Sequence, residues 1–197
     1  MYALYVGHPQ VEMDPQTPVP QWRLSERGRE RARGFAGATL ARGLRRIVSS
    51  REVKAQETAA ILGAALGVEV EQLDGFGEID RSRPGYVPAE KFEELANLCF
   101  GKPEESAGGW ERAVDAQARI VAAFSGVLKG HDATQPIAFI GHGGVGTLLK
   151  SHLADRAISR AGDQPLGGGN AYMVRLSDQL LLGDWMPFER FAGFGDA

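Results

Sequence analysis

Two histidines far apart in the chain each close a short apolar run. His8 follows Tyr2-Ala3-Leu4-Tyr5-Val6-Gly7, and His142 follows Ile137-Ala138-Phe139-Ile140-Gly141. Both runs are β-rich and lead into a turn or helix signal, so each imidazole is expected at the carboxyl end of a buried strand. In an open α/β sheet that edge is where ligands bind. Histidine alone changes charge near neutral pH without perturbation, so two of them brought together there suggest nucleophilic or acid–base chemistry.

The elements that must carry these residues alternate between strand and helix. A loop with Pro9, Pro15, Pro18 and Pro20 leads to Ser25, a helix N-cap with Glu26 in the first turn. The helix that follows sets Ala32, Phe35, Ala36, Thr39 and Leu40 on one stripe. A strand over 45–50 ends in Ser49-Ser50, a helix over 52–66 runs to Gly67, and 68–73 alternates as a strand. Residues 74–88, rich in Gly and Pro, read as a loop carrying Glu78, Asp80, Arg81 and Arg83. Helices are expected over 89–99, 110–129 and 144–153, then a glycine loop at Gly167-Gly168-Gly169. A hairpin of 170–176 with 180–185 completes the pattern. Its sum is an α/β fold, a three-layer α/β/α sandwich on a largely parallel sheet. With 197 residues and no repeat or linker, residues 1–197 read as one domain.

A formal charge of −3 gives no global attraction to nucleic acid or membrane, so any anion site must be local. The eight arginines between Arg23 and Arg46 interleave with Glu26 and Glu30 opposite the apolar face, which describes a solvated helix rather than a nucleic-acid stripe. The start of the chain resembles no signal peptide, and no apolar stretch nears the roughly 20 residues that span a bilayer, so a cytoplasmic location is expected. Cys99, the single cysteine, excludes an internal disulfide and a multi-cysteine metal site, and its neighbours Leu98 and Phe100 suggest a packed thiol. His131 and His152 have no metal-ligand spacing with the other two. No metal and no cofactor is expected. The aromatic tail of Trp185, Phe188, Phe191 and Phe194 packs on the domain or at a self-interface, which leaves a homodimer open.

The segment Gly141-His142-Gly143-Gly144-Val145-Gly146 fits G-x-G-x-x-G between a strand and a helix, the local setting of a dinucleotide fingerprint. That unit needs a second strand ending in an acidic ribose-binding residue about 20 positions on, and the stretch after Leu153 is polar and glycine-rich. What survives is simpler. Gly143 and Gly144 present backbone N–H groups and a positive dipole end to an anion, with His142 beside them. Asn170, after the glycine loop, either faces the same site or merely starts a strand.

The first-strand histidine, the helix start Leu24-Ser25-Glu26-Arg27-Gly28-Arg29-Glu30-Arg31-Ala32, Ser49-Ser50 followed by Ala55-Gln56-Glu57-Thr58-Ala59, Glu78 in a loop and His142-Gly143-Gly144 recur in order. In this the chain resembles the histidine phosphatase superfamily, the phosphoglycerate-mutase-like proteins. The resemblance implies that His8 attacks phosphorus to give a phosphohistidine, that Glu78 protonates the leaving oxygen and that His142 holds phosphoryl oxygens, without a metal. It also shows two departures. Gly7 stands where the family has an arginine before the nucleophile, and Lys54 stands where it has a second one. Lysine keeps the charge and loses the bidentate fork, and glycine supplies no side chain. Pro9 also removes a backbone N–H. Arg23, Arg51, Arg81 and Arg83 lie in segments that reach the same edge, and Arg81, three residues after Glu78, is the first choice for a substitute. The expected phosphate ligands are therefore Lys54, Arg81, Gly143 and Gly144, and the expected partner is a small-molecule phosphate ester or a phosphate or sulfate anion. Two functions fit: a phosphatase hydrolysing a monoester, with a mutase less favoured because the pocket is short of cations, or a phosphate-ligand binding or regulatory protein with little turnover.

Overall fold

The computed structural model describes residues 1–191, with the side chains of residues 39 and 40 left aside. Strands β1 (Tyr2–Gly7), β2 (Arg46–Ser49), β3 (Val70–Gln72), β4 (Ile137–Gly141), β5 (Asn170–Arg175) and β6 (Met186–Pro187) form one sheet in the order β3-β2-β4-β1-β5-β6. The first four are parallel, and at one side β5 pairs antiparallel with β1 and β6 antiparallel with β5. Helices α1 (Glu26–Ala36), α2 (Thr39–Arg42), α3 (Val53–Leu66), α4 (Ala89–Gly101), α5 (Ala113–Lys129) and α6 (Gly143–Leu153) cover it. The expected α/β/α sandwich on a largely parallel sheet is the fold observed.

Successive strand residues face opposite layers, so both faces need apolar side chains. Tyr5 and Phe139 join Val145 of α6, Ile120 and Phe124 of α5 and Cys99 of α4 in one core. Leu4, Val6 and Ile140 join Phe35 of α1 and Ala59 and Leu62 of α3 in the other. Cys99 is fully buried, and burial pushes its thiol up to about 11, although its neighbour Leu98 is exposed. Ser25 caps α1 as expected, its hydroxyl accepting the Gly28 amide at 3.1 Å.

Three elements differ from the sequence expectation. The first helix ends at Ala36 and Gly37, and 39–42 form a separate short helix. The long helix starts at Ala113, which frees Trp110 to turn inward. The hairpin over 180–185 forms only in part: Leu181 bridges Val174, with the Arg175 amide donating to the Leu180 carbonyl at 2.8 Å and the Leu182 amide to the Met173 carbonyl at 2.9 Å, and further along the partner of β5 is the two-residue β6. Asp184 is drawn away to the Lys150 ammonium. The aromatic tail packs on the domain. Trp185 meets Tyr5 and Tyr172 edge-on, and Phe188 and Phe191 lie against Phe35, while Phe194 falls outside the described residues. No helix among the described residues is long and apolar enough to cross a membrane.

Candidate active site

Sheet register brings the two histidines together. Strands β1 and β4 are neighbours with Gly7 opposite Gly141, so the next residue of each strand stands at the same edge. The His8 amide donates to the Gly141 carbonyl at 3.0 Å. The rings meet edge to face with centroids 5.2 Å apart. His8 Nδ1 lies 2.8 Å from the Pro9 carbonyl, an acceptor only, so Nδ1 carries the proton and Nε2 keeps its lone pair. Burial, with the nearby His142 and Lys54, pushes the His8 imidazole down to about 3, so it is neutral at pH 7.

His142 is fully buried behind it. Its Nε2 lies 2.9 Å from Ser50 Oγ and 3.4 Å from Glu52 Oε1, and its Nδ1 has no partner among the described residues. Burial lowers its pKa, and Glu52 and Glu78 pull in the opposite direction. Glu52 escaped the sequence reading, where it looks like an ordinary acid at a helix start. It is in fact a hub. Oε1 accepts the Glu78 amide at 2.8 Å, and Oε2 binds the Lys54 ammonium. Burial works to raise the Glu52 carboxyl, and His142 and Lys54 outweigh it, holding the group down at about 2. Lys54 is correspondingly not a free pocket cation. It is 3% exposed, and its ammonium is shared between Glu52 and the Val19 carbonyl at 2.9 Å.

Glu78 sits on a loop held by one arginine. Arg119 of α5 donates to the carbonyls of Gly75, Gly77 and Glu78 at 3.1, 2.9 and 3.1 Å, while Glu111 fixes the same guanidinium. The Glu78 carboxylate reaches the N-terminus of α6, accepting the Gly144 and Val145 amides at 3.1 and 3.0 Å. Burial raises its pKa, but Arg81, His142 and the Ile79 amide prevail and the net shift is downward. The Gly144 amide expected to face an anion is therefore already engaged by Glu78.

A cavity of about 280 Å³ opens beside His8, lined by Glu78, Arg81, Gly143 and Gly144 among others. The Arg81 guanidinium lies over the rings of Phe92 and Trp110, 5.0 and 5.4 Å from their centroids. Phe100, Arg160, Asp163 and Gln164 complete the wall, with Arg160 tied to Glu93 and Asp163. The other candidate cations are elsewhere. Arg23 pairs with Glu57, Arg51 with Asp74, and Arg83 is exposed. Gly167 and Gly168 also line the cavity, and with Gly169 they form a run at φ +90°, +63° and +64°, a backbone that only glycine adopts readily. Arg31 donates to the carbonyls of all three at 3.3, 2.9 and 3.1 Å. Asn170 starts β5, and its side chain donates to Gln164, a residue of the cavity wall.

Among curated proteins no relative matches the sequence. Solved structures share its fold. A mycobacterial glucosyl-3-phosphoglycerate phosphatase matches at a TM-score of 0.76 and 21% identity, over 94% of this chain and 98% of that one. YhfR of Bacillus stearothermophilus matches at 0.75 and 18%, over 91% and 93%. A putative alpha-ribazole-5'-P phosphatase of Escherichia coli K-12 matches at 0.74 and 16%, over 95% and 96%. The mycobacterial phosphatase is also similar in its complexes with VO3 and with inorganic phosphate, at TM-scores of 0.72 and 0.71. The family model of the histidine phosphatase superfamily (branch 1) matches residues 8–179, and the chain belongs to that superfamily.

Proposed function

We propose that this chain is a phosphatase that hydrolyses a small phosphate monoester through a phosphohistidine on His8. The observation that carries the reading is the Nδ1 contact to the Pro9 carbonyl, which leaves a neutral Nε2 lone pair at the cavity beside His142. In the first step Nε2 bonds to phosphorus as the ester P–O bond breaks, and Glu78 gives its proton to the leaving oxygen. In the second step water attacks the phosphohistidine, Glu78 recovers a proton from that water, and Nε2 departs with its electron pair. The reaction needs no metal. Arg81 and the Gly143 amide bind phosphoryl oxygens, and His142 stabilises them once protonated, with Glu52 favouring its charged form. Lys54 acts at one remove, by neutralising Glu52. The phosphate- and vanadate-bound structures of the mycobacterial phosphatase support the class of ligand.

The second reading, an anion-binding protein with little turnover, is favoured by one feature: Glu52 brings a buried carboxylate within 3.4 Å of His142 where a phosphate needs positive charge. Incubation with a small reactive phosphodonor, alkaline quenching and peptide mapping separates the two. Phosphate on His8, lost in His8→Ala, is the expected result. Bound anion with no covalent label establishes the second reading.

A further inference from the structure

The family's missing arginine would project from position 7, and in this chain that space is filled from across the fold. A methyl group on Gly7 would lie 3.1 Å from Gln164 Oε1 and 3.7 Å from the Trp185 ring. One on Gly143 would collide with Gln164 Nε2. The Gln164 carboxamide therefore spans the gap between the ends of β1 and β4, the strands that deliver His8 and His142, and it lines the same cavity as His8. Its orientation is set by Asn170, which is 1% exposed and whose Nδ2 donates to Gln164 Oε1 at 3.0 Å and to the Pro165 carbonyl at 3.1 Å. With the oxygen so engaged, Nε2 turns toward Gly143 and donates to no group among the described residues.

We propose that Gln164, aimed by Asn170, is a phosphate-binding residue whose N–H groups replace the donors lost at Gly7. The inference rests on the phosphatase reading and adds a ligand to it. A carboxamide NH2 offers two N–H donors where a guanidinium has five, and it carries no charge. Gly143 is glycine on this view because Gln164 must lie against its Cα.

The test titrates inorganic phosphate and orthovanadate into the full chain by calorimetry, alongside kcat/KM on an aryl phosphate and a thermal melt. Gln164→Leu is expected to weaken both anions about 10- to 100-fold, the range for a hydrogen bond to a charged group. Gln164→Glu, which Asn170 still holds, weakens them further by placing a carboxylate against the phosphoryl oxygens, and it decides the matter should the leucine variant fail to fold. Asn170→Asp, unable to donate to Gln164 Oε1, lowers anion affinity in the same sense. Gly7→Arg in a Gln164→Ala background restores affinity, whereas Gly7→Arg alone, with Gln164 in place, gains little. Wild-type affinity in Gln164→Leu and Gln164→Glu overturns this inference and leaves the phosphatase reading standing. A wild-type chain that binds neither anion overturns both.

Discussion

The Glu78 carboxylate caps the helix that begins after His142, with Oε2 accepting the Gly144 amide at 3.1 Å. It lies where an anion would otherwise meet the positive end of α6. On the proposed mechanism, a phosphate dianion arriving beside it would raise its pKa by like-charge repulsion and so supply the acid of the first step.

Glu78→Gln is therefore expected to slow an alkyl phosphate by about 10²-fold or more, the scale of general acid catalysis. An activated aryl phosphate, whose leaving group needs no proton, should slow far less. Equal slowing of both removes the acid assignment. The melting temperature should also fall slightly, because a charged cap on a helix N-terminus is worth about 0.3–1 kcal/mol.

Arg119 holds the loop that carries Glu78, and on the proposed mechanism it thereby positions the acid. Arg119→Met should reproduce the leaving-group dependence of Glu78→Gln, because the carbonyls of Gly75, Gly77 and Glu78 lose their common donor. In the double variant the two losses should not add, since both act on one group. Full additivity in kcat/KM rejects a positioning role.

The Lys54 and Glu52 pair is buried, so breaking it should cost more than removing it. Lys54→Met leaves the Glu52 carboxylate uncompensated and should destabilise the chain by about 3 kcal/mol, measured by urea unfolding. Glu52→Gln combined with Lys54→Met should recover most of that loss. A single variant as stable as wild type contradicts the pairing.

His8 makes stability depend on pH in a defined sense. Its folded pKa, about 3, lies below the ordinary histidine value, so the unfolded chain binds a proton more readily. The contribution is whole above pH 6.5 and is lost as pH falls from there toward 3. Glu52, held at about 2, adds an acid loss of its own at lower pH. The test is the difference between wild type and His8→Asn: wild type should lose melting temperature relative to the variant as pH drops from 7 to 4. Parallel curves would show that His8 has an ordinary pKa.

The paired histidines were legible because apolar runs of strand length mark a buried parallel sheet, and a residue that follows such a run stands at its edge. Arg81 was legible through its distance from Glu78, and the structure puts it on the cavity wall. Glu52 was not. In sequence it is an acid in a helix's first turn, a common solvated arrangement, and only the crossing of the 15–20 loop seals it in with Lys54. Gln164 lies in a polar stretch without period, and its contact with Gly7 depends on where β5 joins the sheet. Arg119 reads as the wet face of α5, and nothing local shows that the loop carrying Glu78 descends onto it. The hairpin forms only around Leu181, since nothing local in 180–185 shows the pull of Lys150 on Asp184.

The glycine run at 167–169, with its three carbonyls tied to Arg31, gives one stretch of the cavity lining a distinctive mechanical character. A wall without side chains cannot be remodelled by rotamer changes, and one anchored to α1 at every residue has little slack. On the phosphatase reading, that stretch of the lining keeps its shape whichever alcohol leaves, and accommodation of bulk falls to the side chains around it, Leu166 and Phe100 among them.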